Sequence, residues 1–270
     1  SDAPGKEYRM LNALETVARE AGRMMLDRQE AAIHRKEGHY NFVTERDLQI
    51  QEFLRERLAA LLPGSRFFSE EQDNEGLTNE PTWIVDPIDG TINYMRGRRC
   101  SAVSVALLRD RSPVYAAVYD PFADEMFSAE KGGGCLLNGQ PVQVSETSYE
   151  QALITVGTTP YEPELMRLGM QAAYAVLREA GDIRRTGSAA LDLAWVACGR
   201  TDAFFEMRLS PWDFAGGALL VLEAGGRLCD PQRDAVNYGL PSRILAANPL
   251  CYEPVLDILR RAEAGSLEAL

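Results

Sequence analysis

A change of rhythm near residue 148 constrains the architecture of this chain more than any other feature. Before it, short β-prone runs succeed one another with turn residues between them: RFFS, TWIV, SAVSVALL, VYAAVYD, EMFSA and CLLNGQPVQV. After it, strands and helices alternate: ALITVG, a helix from Glu162 to Ala180, DIRRT, an Ala/Leu-rich helix from Ser188 to Cys198, DAFFEM, a helix from Trp212 to Ala224, strands RLCD and RILAAN, and a last helix from Tyr252. The first pattern, with Asn138-Gly139 as a two-residue hairpin signal, predicts a mostly antiparallel sheet. The second predicts an α/β layer arrangement. Two helices precede both: residues about 6 to 30, with Leu11, Leu14, Ala18, Ala21 and Met25 at three-four spacing, and a segment marked by Leu48 to Leu62 that stops at Pro63-Gly64. The expected division is an α+β part over 1–147 and an α/β part over 148–270, packed without a linker and with a cleft between them.

Composition removes several classes of function. A formal charge of -12 repels nucleic acid and anionic membranes, so neither is an expected partner. Five scattered cysteines with no CxxC spacing read as reduced thiols. His34 and His39, the only histidines, are too few for a histidine-rich zinc centre, so any metal here is expected to be hard and held by oxygen. No run is apolar enough to span a membrane, and the opening SDAPGKEYRM lacks a secretory pattern, which makes a cytoplasmic location the expectation.

Three acidic segments carry the chemistry. In WIVDPIDGTINY, residues 83–94, Pro87 forces Asp86 into an extended conformation, Asp89 follows three residues on, Gly90 opens the backbone to a ligand, and Thr91 adds a hydroxyl. The same residues also suit a plain turn in which Asp89-Gly90 bends the chain. Glu70-Glu71 lies just beyond RFFS and reads equally well as a solvated pair, and Asp213 in PWDFAGG suits a helix cap. Together, however, Glu70, Asp86, Asp89 and Asp213 all fall at ends of regular elements. Converging without cations they would repel and raise one another's pKa values. Divalent ions resolve that conflict, and an all-oxygen ligand set selects magnesium, with manganese as a substitute.

These residues resemble the inositol monophosphatase family of magnesium-dependent, lithium-sensitive phosphatases. The resemblance rests on VTERD at 43–47, SEE at 69–71, WIVDPIDGTINY, TGSAALDLAWVACGRTDAFFE at 186–206 and PWDFAGGALLVLEAGG at 211–226. It implies a layered αβαβα sandwich of the inositol monophosphatase and fructose-1,6-bisphosphatase type, as a homodimer. It further implies one metal on Glu70, Asp86 and the carbonyl of Ile88, a second on Asp86, Asp89 and Asp213, and in some members a third, weaker one near Glu70. Thr91, with Glu70 and Asp47, would activate a water. The amides of Gly90 and Thr91 would grip phosphate, and Asp89, the Gly187-Ser188-Ala189 segment and Glu206 would meet the hydroxyls of a polyol. Lys36 matches a basic residue on a loop near the phosphate. Ile92 stands where the family often has Thr, and Asn41 where Asp is frequent; neither is a proposed ligand.

The implied reaction is hydrolysis of a phosphate monoester by metal-activated water, on myo-inositol 1-phosphate or a similar polyol or sugar phosphate. Bisphosphate nucleotidase and fructose-1,6-bisphosphatase activities are the alternatives, and a silent metal- or phosphate-binding regulator is the rival of another class. An island of arginines, Arg96, Arg98 and Arg99, reads as a solvated loop or as a seat for a second anionic group. Asp-x-Asp nucleophile loops, a cysteine with an Arg six residues later, and GxxxxGK[ST] are all absent.

Overall fold

The computed structural model describes residues 4–27, 33–35, 42–72 and 74–267. The chain starts with helix α1 (Pro4–Leu26), a short antiparallel pair, β1 (Ile33–Arg35) with β2 (Phe42–Thr44), and helix α2 (Glu45–Leu61). Seven strands follow: β3 (Arg66–Ser69), β4 (Thr82–Asp89), β5 (Ala102–Arg109), β6 (Ser112–Asp120), β7 (Glu125–Glu130), β8 (Gly134–Leu137) and β9 (Gln140–Val142). They lie side by side in chain order, antiparallel except for the parallel β3–β4 pair. Between β4 and β5 sits one short helix, α3 (Thr91–Arg96).

The second half contributes β10 (Leu153–Val156), α4 (Pro163–Glu179), β11 (Asp182–Arg184), α5 (Ala189–Ala197), β12 (Ala203–Leu209), α6 (Pro211–Glu223), β13 (Arg227–Cys229), β14 (Ser242–Ala247) and α7 (Pro249–Glu263). Its five strands form a second sheet in the order β11-β10-β12-β14-β13, parallel around β10 and antiparallel around β14.

Alternation along β5 shows why the layers stack as they do. Val103, Val105 and Leu107 join the core beneath α1 and α2, while Ala106 and Leu108, one residue out of phase, face Ala215 of α6. A strand apolar on both faces must be covered on both. Helices α5 and α6 fill the space between the sheets and are buried on nearly every side, so their sequences are apolar all round. On the outer face of the second sheet, α4 and α7 close the stack. The layers are therefore α1/α2, seven-stranded sheet, α5/α6, five-stranded sheet, α4/α7, an αβαβα sandwich.

Several boundaries differ from the sequence expectation. The first helix ends at Leu26 rather than near residue 30. The last begins at Pro249, because the Asn248 side chain accepts the Cys251 N–H at 2.8 Å and Pro249 suits the first helical turn. Strand β4 does not stop at Val85; it runs on through Asp89.

Candidate metal-binding active site

The continuation of β4 is what brings two of the aspartates together. In a regular strand, residues three apart point to opposite faces. Between Asp86 and Asp89 the register slips: Asp86 stands opposite Ser104 and Asp89 opposite Ala102, so three steps on β4 match two on β5. That extra residue is a bulge, which re-phases the strand so that both carboxylates serve one site. Pro87, with no N–H to lose, sits within it. Asp86 Oδ1 accepts the Ile88 N–H at 3.0 Å, which holds the bulge in shape.

The parallel β3–β4 register supplies Glu70. Ser69 is level with Val85, so Glu70 leaves β3 beside Asp86. Its turn is pinned by Gln51 of α2, which accepts the Ser69 hydroxyl and the Glu71 N–H at 3.1 Å, and by Asn74, which takes the Ser69 N–H at 3.0 Å. Asp213 arrives on the first turn of α6, where its Oδ2 accepts the Ser210 N–H at 2.7 Å. It caps the helix and lines the site at once. Gly216 lets α6 come this close to the sheet, since a Cβ there would stand 2.8 Å from Ser104 Oγ.

Ligand oxygens of Asp86, Asp89 and Asp213 lie within 4.8 Å of one another. Burial, then the charges of Glu70, Asp89 and Asp213, hold the Asp86 carboxyl well above the usual range. Burial and the charges of Asp89 and Glu70 do the same for Asp213. Asp89 is pushed up to about 6 by burial, moderated by the Ser188 hydroxyl and the Ala190 and Ala189 amides. Both the Ser188 hydroxyl and the Ala190 N–H, the latter at 3.0 Å, donate to Asp89 Oδ2 at the start of α5. Three like charges gathered by two rigid elements, β4 and α6, fit a hard divalent cation.

Around the cluster lies a cavity of about 750 Å³ lined by Glu70, Asp86, Ile88, Asp89, Gly90, Thr91, Gly187, Ser188, Ala189, Glu206 and Asp213. Asp47, buried on α2, lies behind Thr91, whose hydroxyl is 3.4 Å from Asp47 Oδ1 and 3.0 Å from the Ile88 carbonyl. Gly90 turns the chain from β4 into α3 at φ 81°, where a Cβ would stand 3.0 Å from the Cys100 carbonyl. Glu206 is pushed up to about 7, mainly by burial, against hydrogen bonds from Thr159 and the charge of Arg185. Lys36 and Asn41 lie outside the described residues.

The arginine island does not reach the cavity: none of Arg96, Arg98 and Arg99 lines it. Among the described residues, the cations that do are Arg185 and Arg208, with Thr158, Tyr161 and Asp192 beside them. Sequence reasoning passes over all five, because only the meeting of the loops after β10 and β11 with the end of β12 and the first turn of α5 puts them at the site. The one signal for Arg185 is its place two residues before Gly187-Ser188, where α5 is capped.

The model of the inositol monophosphatase family matches residues 7–264. "Inositol monophosphatase 1" of Solanum lycopersicum is 37% identical over 84% of this chain and 85% of its own length. "Nus factor SuhB" of Escherichia coli K12 is 36% identical over 96% of this chain and 98% of its own. Among solved structures, the extragenic suppressor protein SuhB of Bartonella henselae superposes with a TM-score of 0.85 at 32% identity, covering 93% of this chain and 98% of that one. A match of this extent, on a layered sandwich with a carboxylate-lined cavity at its centre, shows that the chain belongs to the inositol monophosphatase family.

Proposed function

We propose that this protein hydrolyses a phosphate monoester of a polyol or sugar, myo-inositol 1-phosphate being the model substrate, with magnesium held by the carboxylate cluster. The observation that carries the reading is the convergence of Asp86, Asp89 and Asp213 within 4.8 Å, on a buried site where their charges raise one another's pKa values. Glu70, Asp86 and the Ile88 carbonyl would hold one ion, and Asp86, Asp89 and Asp213 a second, a third and weaker one being implied near Glu70 by the family resemblance alone; manganese would substitute. Bound there, the ions supply a water that ionises near neutral pH and screen the departing alkoxide.

The chain's own groups do the rest. The Thr91 hydroxyl has one proton and two acceptors, the Ile88 carbonyl and Asp47, so its lone pairs remain to accept a hydrogen bond from a water and orient it, with Glu70 as the neighbouring base that takes the proton. Amides of Gly90 and Thr91, at the start of α3, have no intrahelical acceptor and suit phosphate oxygens. Asp89, the Gly187-Ser188-Ala189 segment and Glu206 face the carbon skeleton of the substrate. The homodimer expected of the family would use the row Met166, Met170, Tyr174 and Leu177, which lies exposed on one face of α4.

Phosphate release from inositol 1-phosphate, glycerol phosphates, adenosine 3',5'-bisphosphate and fructose 1,6-bisphosphate, with magnesium and after chelation, tests the proposal. Turnover that survives chelation would remove the metal from the mechanism. The relatives named Nus factor support a second reading, a regulatory role separable from turnover. An Asp213→Asn protein that loses hydrolysis but keeps that role distinguishes the two.

A further inference from the structure

The carboxylate cluster accounts for one end of a cavity of about 750 Å³; Arg185 and Glu206 stand on the wall beyond it. Glu206 is fixed on one side only. Its Oε1 accepts the Thr159 N–H at 2.9 Å and the Thr159 hydroxyl at 3.3 Å. Thr159 makes these bonds at φ 41°, a strained setting for a β-branched residue. Glu206 Oε2 packs over Gly157, where a Cβ would lie 2.0 Å away, so that glycine is the space the carboxylate occupies.

Arg185 is fixed in a similar way. Nη1 lies over Gly187, 3.0 Å from where its Cβ would be, and Nη2 donates to Thr158 Oγ1 at 3.3 Å. Neighbouring arginines are paired: Arg184 with Asp182, and Arg208 with Glu162 at 2.9 Å. Arg185 makes no ion pair with a carboxylate among the described residues, although its charge favours ionised Glu206.

A guanidinium only donates and a carboxylate only accepts. Held near each other but unjoined, they suit a group that does both, which is a hydroxyl. A second phosphate would satisfy Arg185 but meet the carboxylates of Glu206 and Asp89 on the same cavity. We infer that Arg185 and Glu206 Oε2 bracket a hydroxyl on the substrate's carbon skeleton, which makes Arg185 a specificity-determining residue for polyhydroxylated monophosphates over monophosphates without such hydroxyls. This rests on the phosphatase reading above.

The test compares kcat/KM for inositol 1-phosphate, p-nitrophenyl phosphate and fructose 1,6-bisphosphate in wild type, Arg185→Ala and Arg185→Gln. The ratio of inositol phosphate to p-nitrophenyl phosphate is expected to fall about tenfold in Arg185→Ala, mostly through KM, as for loss of one hydrogen bond from a charged donor. Arg185→Gln, which keeps a donor without the charge, should recover part of it. Equal loss on all three substrates overturns the inference, as does a loss greatest for the bisphosphate with no recovery by glutamine. A wild type that releases phosphate from none of them sinks the phosphatase reading, and the inference with it.

Discussion

Each aspartate of the cluster accepts a donor from its own neighbourhood: the Ile88 N–H for Asp86, the Ser188 hydroxyl and Ala190 N–H for Asp89, the Ser210 N–H for Asp213. Those bonds fix the carboxylates but leave their mutual repulsion. Asp213→Asn should therefore raise the Tm of the metal-free protein by about 2–4 °C, the shift that about 1 kcal/mol gives in a chain of this size. The same change should lower magnesium-dependent turnover at least a hundredfold, a loss of about the size seen when even a ligand's supporting partner is removed. A metal-free Tm that falls would show that the charges are already neutralised. Ser188→Ala should weaken metal affinity by about tenfold or more, read from magnesium titrations. The pH dependence follows from Asp89, raised from 3.8 to about 6, and Glu206, raised from 4.5 to about 7. A carboxyl with the higher pKa in the folded state holds its proton more tightly there, so this contribution is full below the unfolded value and is lost as pH rises through the folded one. Metal-free protein should lose it between about pH 4 and 7. Saturating magnesium should then raise Tm by at least about 4 °C more at pH 8 than at pH 5; equal gains at both would contradict it.

Among the elements, the junction of β4 and α3 has least freedom. Gly90→Ala would place a Cβ 3.0 Å from the Cys100 carbonyl and 3.2 Å from the Gly187 carbonyl at φ 81°. It is expected to cost about 1–2 kcal/mol or more, seen as a lower urea midpoint with an unchanged slope. An unaltered midpoint would mean that the turn relaxes freely. Elements that bury one face, such as α2, are legible in the sequence because burial writes its period into the residues, and the Asn138-Gly139 hairpin is legible because both turn residues take positive φ. The bulge in β4 is not legible, since Asp and Pro are poor strand formers and only pairing with β5 keeps them extended. Carboxylates at element ends announce a candidate cluster, whereas Arg185, Thr158 and Asp192 depend on how the loops after β10 and β11 meet the start of α5.

At the scale of the molecule, the two sheets share one core: Val118 and Phe127 from the first pack in the same cluster as Phe204 and Ile244 from the second, with α5 and α6 between them. Asn93 ties the halves again, its Nδ2 donating to the Cys100 and Thr186 carbonyls at 2.9 Å each. On the outside, Met170→Glu combined with Tyr174→Lys should turn a dimer into a monomer by sedimentation; an unchanged mass would take α4 out of the interface. The site's oxygens come from Glu70, the end of β4 and the start of α6. A nascent chain emerging from the ribosome could therefore not close the proposed metal site until α6 has been synthesised and has docked between the sheets. Capture of the proposed ion would be a late event in biogenesis, and a polypeptide stalled before α6 would hold the two aspartates of β4 without the third carboxylate that completes the cluster.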